Sequence, residues 1–412
     1  MDKMHKINMN ILAKNNIYKQ INRRYNKSTV EIVLQTRRKT FKRRITMKKK
    51  VLAALLAATM VVGMTACGGS KDATADAPAA DTTEDTAADA ADTASTGDAS
   101  YVIKLGMTQG DVPREESAEV TWTERFKEEV EKNSNGQVSV EIYPSGQLGS
   151  VEENLAGLLN GSLEMTVANV NSLNNIYADT MVLSCPALFK DEAQCDAVLS
   201  GEWGQEFFGK IGEESGIHVL AAFCNGMRCF TTTKTPLTTV DSAKGITFRV
   251  MQSEVCEKMV SAIGANPVPM AGSEMYTALQ NGTVDGQENP PVNILNDKTY
   301  EVQKYMVLDK HIASIVTFAI SEKFLDSLPE DLQKVVTDAA ETVTPEASEV
   351  CKKLNDEGVA KLEEYGMEVY TPTEAELEDW HSAMRQPCID YVTGQVGEDV
   401  VNGLLTAIEQ AN

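Results

Sequence analysis

The sequence predicts an α/β protein of two domains, each a sheet flanked by helices. Three observations carry this reading. Strand-like and helix-like periods alternate from Val102 to Ala168 in the order β-α-β-α-β, which implies a parallel sheet covered by helices. A separate apolar run, Ile246–Val250, lies between Gly245 and a helix-like segment and reads as a buried strand. A helical pattern extends from Pro329 to Tyr365. If continuous, it would span about 55 Å at 1.5 Å per residue, longer than one domain of this size. The 412 residues suffice for two ordinary domains.

Taken in order, the chain begins with a basic stretch, residues 1–46, that lacks apolar periodicity. Met47-Lys48-Lys49-Lys50 followed by the apolar run Val51–Met64 has the layout of a secretory signal. The run is too short for an ordinary spanning helix, which needs about 20 apolar residues. Met47 is therefore the expected start, and residues 1–46 an over-extension of the reading frame or a long leader. Residues 47–66 end Met64-Thr65-Ala66 before Cys67-Gly68-Gly69. Small neighbours beside a thiol suit cleavage before Cys67 and lipid attachment to it, and several acyl chains anchor where one holds only marginally. Residues 67–100 are rich in Ala, Thr, Asp and Ser, with no aromatic or large aliphatic residue. They cannot bury a core and form a disordered acidic tether.

The folded part is expected from Tyr101. Val102–Met107 and Val138–Tyr143 read as strands, and Leu163–Ala168 as a third. Ser117–Ser134 reads as an amphipathic helix with Val120, Trp122, Phe126 and Val130 inside, stopped at Asn135-Gly136. Val151–Asn160 is the second helix. Ligands of open sheets sit at the carboxyl ends of strands, which points to Gln109 after the first strand and to Asn169 and Asn171 after the third. Solvent-facing turn chemistry explains such residues equally well. Helices follow through Asp191–Ser215, then a strand Ile217–Phe223. Asn225-Gly226-Met227-Arg228 is the expected crossing to the second domain, which places Arg228 at the mouth of a cleft. Ile312–Ile320 reads as a strand returning to the first sheet. Pro345 removes a backbone donor and should kink the long helix. Met367–Tyr370 reads as a short strand before the final helices.

Charge and cysteine usage bound the function. Lys and Arg total 38, Asp and Glu 60, for a net −22. Residues 1–66 hold 16 basic and 2 acidic residues, which leaves 22 and 58 in residues 67–412, a net −36. So acidic a body argues against nucleic acid. None of the eight cysteines forms a CxxC pair, which argues against zinc. With Cys67 lipidated, seven remain and at least one is free; buried thiols acting as small hydrophobes are favoured. Bridges Cys185–Cys195 and Cys224–Cys229 stay open. There is no HExxH, GxSxG or GxGxxG, the usual enzyme signals, and no cofactor or metal is expected.

One charge interrupts Ile246–Val250: Arg249. An unpaired buried charge is very costly, so Arg249 needs an anion. An internal Asp or Glu is the commoner partner; a bound carboxylate is the other. Forty residues on, Val284–Pro291 is broken by Gly286 and the Pro pair and should cross as a loop. Arg249 beside Asn289 would make a carboxylate receptor, since guanidinium binds carboxylate through two parallel hydrogen bonds.

The motifs of this stretch resemble a known family. They are Lys244-Gly245, Arg249-Val250, Gly264-Ala265, Pro267-Val268-Pro269-Met270, Glu274, Tyr276-Thr277-Ala278-Leu279-Gln280, Gly282 and Val284–Pro290. Tyr300–Tyr305 with His311 follows; Asn225–Arg228 and Pro144–Gly149 precede. Together they resemble the solute receptors of TRAP (tripartite ATP-independent periplasmic) transporters, from about Ile103 to near the C-terminus. The lipid-anchored start fits the same picture, with Met64 where a lipobox usually has Leu.

The resemblance implies a periplasmic-binding-protein-like clamshell with a long helix spanning both domains. Domain I would comprise 101–226 plus 315–354, and domain II 227–314 plus 355–412. It implies no enzyme but a monomeric receptor, lipid-anchored on the extracytoplasmic face, that hands an organic acid to TRAP membrane carrier subunits. Arg249 would form the salt bridge to the carboxylate, Arg228 and Asn289 adding hydrogen bonds. Asn169, Asn171, Gln109 and Glu115 would meet the distal end. Sialate-binding relatives carry Phe where Gly272 stands, so a C4-dicarboxylate or sugar acid is expected instead. The alternative is a lipoprotein of the same fold that presents an acid to a sensor kinase.

Overall fold

A computed structural model describes residues 99–411. The leader, the signal peptide, Cys67 and nearly all of the tether lie outside the described residues.

The first half follows the expected alternation. Strand β1 (Tyr101–Gly106) leads to helix α1 (Ala118–Asn133), β2 (Val138–Tyr143), α2 (Val151–Asn160) and β3 (Met165–Asn169). β1 pairs in parallel with both β2 and β3. Local chemistry sets the helix ends. Ser117 caps α1 by accepting from the Val120 amide. Ser150 and Glu153 form a reciprocal capping box on α2, which stops at Gly161 in the left-handed region. Next come α3 (Val170–Leu173), α4 (Glu192–Ser200) and α5 (Glu202–Ser215).

Strand β4 spans Ile217–Thr232, 16 residues. It does not end at Phe223 but runs through Asn225–Arg228. A β-bulge between Cys224 and Met227 absorbs the irregularity, with Gly226 at φ 107°. A Cβ there would sit 2.6 Å from the Asn355 amide nitrogen, so Gly is required twice over. Elements β5 (Thr247–Val250), α6 (Glu254–Ala262), β6 (Asn266–Pro269), α7 (Gly272–Gln280), β7 (Gly286–Asn289) and α8 (Pro291–Asn296) follow.

β7 corrects the expected loop. All four of its residues are buried. It lies antiparallel to β4 and meets β5 at Gly286 opposite Phe248. Gly286 is there for close approach: a Cβ would fall 2.3 Å from the Thr231 carbonyl oxygen. Gln287 looks like a loop residue, but its amide donates to Thr231 Oγ1 at 2.8 Å. Tertiary partners thus satisfy the polar groups that made this stretch look like a loop.

The chain closes with β8 (Tyr305–Val307), β9 (Ile312–Ser321), α9 (Glu322–Leu325), α10 (Glu330–Glu364), β10 (Glu368–Tyr370), α11 (Glu374–Val396) and α12 (Glu398–Gln410). The main sheet order is β2-β1-β3-β9-β4-β7-β5-β6. β9 returns to the first sheet as expected, and it lies between β3 and β4, antiparallel to both. Helix α10 is continuous over 35 residues and carries Pro345 in its interior. The expected domain boundaries fall at the β4 bulge, inside β9 and inside α10.

Trp122 of α1 stacks on Phe318 of β9, centroids 3.8 Å apart, and its indole donates to Thr344 of α10 at 2.9 Å. At the other end Phe230 and Phe248 pack with Trp380 nearby. The seven cysteines of the described residues are free and buried, with no bridge between Cys185 and Cys195 or Cys224 and Cys229.

Candidate functional site

The strand ends converge on a cavity of about 140 Å³. Arg228 comes from β4, Arg249 from β5, Asn289 from β7 and Asn169 from the end of β3; all four line it. Glu119 from the first turn of α1 and Asp297 from the end of α8 line it too.

The two arginines differ sharply. Arg228 is 3 % exposed and Glu288 fully buried. Arg228 Nε and Nη2 both donate to the Glu288 carboxylate, the latter at 2.9 Å. Burial alone would push Glu288 up, but the Arg228 charge and hydrogen bonds from His311 and Arg228 bring it to about 2. His311 lies between Glu288 (3.4 Å) and Asp309 (2.8 Å). Burial pulls the imidazole down, but Asp309 and then Glu288 outweigh it and raise it to about 9. The network is a closed set of charges in the sheet.

Arg249 is as buried, 5 % exposed, but has no carboxylate partner among the described residues. Nε and Nη2 donate to the Met270 carbonyl at 3.2 and 3.0 Å. Nη1 approaches only the Met275 sulfur, at 3.7 Å. Burial draws its pKa below the ordinary value, partly offset by Glu288; a guanidinium keeps its proton all the same. Gly272 leaves the space beside it open: a Cβ there would stand 3.8 Å from Nη2.

Asn169 and Arg228 meet on Ser314. The Asn169 amide donates to Ser314 Oγ at 3.0 Å and Arg228 Nη1 at 3.2 Å. Asn289 donates to Gln287 at 2.6 Å. Three other expected residues lie outside the lining. Gln109 is buried, but its neighbour Thr108 faces the cavity, as alternation along an extended chain dictates. Asn171 turns away to donate to Cys256 at 3.1 Å. Glu115 is exposed on a 3-10 turn; Glu119, one turn further along, takes its place.

Glu119 and Asp297 had no sequence signal. Burial and then the nearby Asp297 charge push Glu119 up to about 7. Crowding by the protein raises Asp297 to about 6, against the pull of Arg249 and Arg228. Asp297 is exposed and Glu119 only half-buried, which tempers both shifts. Neither carboxylate has an ion-pair partner among the described residues. No group of His, Cys, Asp and Glu among them is arranged to hold a metal ion.

Known proteins share this fold. The profile of the family described as "Bacterial extracellular solute-binding protein, family 7" matches residues 109–392. The C4-dicarboxylate-binding periplasmic protein DctP of Rhodobacter capsulatus is 32 % identical over 285 residues, 69 % of this chain and 85 % of that protein. The sugar acid binding protein DctPAm of Advenella mimigardefordensis, solved with galactonate, superposes with a TM-score of 0.72 at 30 % identity, covering 76 % of this chain and 98 % of that one. A TRAP periplasmic solute binding protein from Shewanella oneidensis with bound succinate gives 0.70 at 29 % identity, covering 75 % and 99 %. These relatives are binding proteins of transporters, not enzymes, and they share the two-domain α/β architecture. The chain therefore belongs to the family-7 extracellular solute-binding proteins, the solute receptors of TRAP transporters.

Proposed function

We propose that this receptor captures an organic acid on Arg249 and delivers it to the TRAP membrane carrier. One observation carries the assignment of Arg249: it is buried on the cavity wall without a counter-anion among the described residues, whereas Arg228 has one. A ligand carboxylate would supply the missing charge through two parallel hydrogen bonds. Asn289, Asn169 and Arg228 line the same cavity and would add hydrogen bonds. The relatives solved with galactonate and succinate support an acid of this size. The halves joined by β4, β9 and α10 act as the lobes of a clamshell that closes on the ligand. Cys67 carries the lipid that holds the receptor on the extracytoplasmic face of the membrane.

The test is a thermal-shift screen of the protein against organic acids. A ligand that binds only the native state raises the melting temperature by mass action. At least one acid should do so, and no shift with any acid would overturn the reading. Cys67→Ser should move the protein from the detergent phase to the aqueous phase in partitioning; equal partitioning of both forms would remove the anchor.

A further inference from the structure

The charge distribution in the cavity goes further than "organic acid". Among the described residues only two cations line it, Arg228 and Arg249, and Arg228 is taken by Glu288. The other charged lining groups are Glu119, Glu152 and Asp297, none in an ion pair among the described residues. A ligand seated on Arg249 therefore has one cation for one carboxylate. A second carboxylate would bring a further negative charge to a cavity lined by Glu119, Glu152 and Asp297 with no cation left to meet it; Asp297 is exposed and the two glutamates half-buried, so water weakens this repulsion without removing it. Hydroxyl groups suit the same wall: carboxylates accept from them, and Thr108, Ser150, Asn169, Gln252 and Asn293 offer further donors and acceptors. Partly protonated carboxyls add a donor of their own.

Resting on the assignment of Arg249, we infer that the ligand is a polyhydroxylated monocarboxylate of the aldonate class, and that Glu119 and Asp297 reject dicarboxylates. The buried, uncompensated Arg249 fixes one end of the ligand; the acidic wall selects what lies at the other. An amide at either acidic position keeps the shape and the hydrogen-bonding capacity but removes the repulsion.

Calorimetric titration of the protein at pH 7.5 with four- to six-carbon aldonates, with succinate and malate, and with α-amino acids decides the matter. The best aldonate should bind at least 100-fold more tightly than either dicarboxylate. In Glu119→Gln/Asp297→Asn that ratio should fall at least tenfold, mainly because succinate improves. Succinate or malate binding as well as any aldonate, and lost with Arg249→Ala, would overturn the inference and leave the receptor reading standing. An amino acid as the best ligand would overturn the hydroxyl assignment, since its ammonium would then be what the acidic wall holds. A preference for aldonates that the double variant leaves unchanged would overturn the role of the two carboxylates. If no acid binds, the receptor reading fails and the inference with it.

Discussion

Arg228 and Arg249 enter the same cavity from β4 and β5, strands separated only by β7. They are equally buried, yet one brings its anion and the other does not. Around Arg228 the sheet supplies Glu288, which sits beside His311 and through it Asp309, so the charge is spent on the protein itself. Around Arg249 it supplies a carbonyl and a thioether. Shared burial and shared residue type thus conceal opposite roles. A buried charge is tolerated when paired, and the unpaired one is where we propose that the ligand's anion binds.

The largest effect on the empty protein should come from the paired side. Glu288→Ala strips Arg228 and His311 of a shared partner and should cost about 3–5 kcal/mol of unfolding free energy. Denaturant titration of the ligand-free protein reads it, and an unchanged midpoint would break the distinction between the arginines. A smaller loss, about 1–3 kcal/mol, is expected for Gly226→Ala, which strains the bulge leading to Arg228. Wild-type stability in that variant would mean that Asn355 and the bulge yield freely.

The pH dependence separates the two walls further. Glu119 is raised to about 7, above its unfolded value near 4.5, so the folded state binds more protons in that window. Its contribution is favourable in acid and is lost as pH rises from about 4.5 through 7. Glu119→Gln should therefore raise the melting temperature slightly at pH 8, the half-buried site being partly screened, and change it little at pH 4. His311, raised to about 9, contributes stability that is complete below about 6.5 and lost as pH rises through 9. His311→Gln should flatten the wild-type decline between those values. The reverse slope in either case would contradict the assigned environments.

Much of the fold was legible in the sequence because its signals are local. The alternation from β1 to β3, the returning strand β9 and the long helix α10 follow from periodicity and caps. β7 was not legible, since Gly-Gln-Glu-Asn becomes a strand only once Thr231, Arg228 and His311 satisfy it. The same limit applies to the site. Arg249 stood out as the lone charge in an apolar run, and motif resemblance added Arg228 and Asn289. That Arg228 is paired and Arg249 is not depends on partners distant in sequence, Glu288 lying 60 positions from Arg228 and Met270 21 from Arg249. Glu119 and Asp297 reach the cavity through helix placement, which no local pattern encodes, and Glu115, Gln109 and Asn171 miss it for the same reason.

The account turns on Arg249, and one paired measurement tests it: calorimetric affinity for the acid found by screening, and melting of the ligand-free protein, both for wild type and Arg249→Ala. Loss of the guanidinium should weaken binding by roughly 2–5 kcal/mol, as for a truncated buried charge pair, about thirtyfold to several thousandfold. Arg249→Lys should already be damaging, since it keeps the charge and loses the planar fork. The ligand-free melting temperature of Arg249→Ala should stay near wild type or rise, because no internal anion is orphaned. A variant that melts far below wild type yet binds within a few-fold would contradict the account.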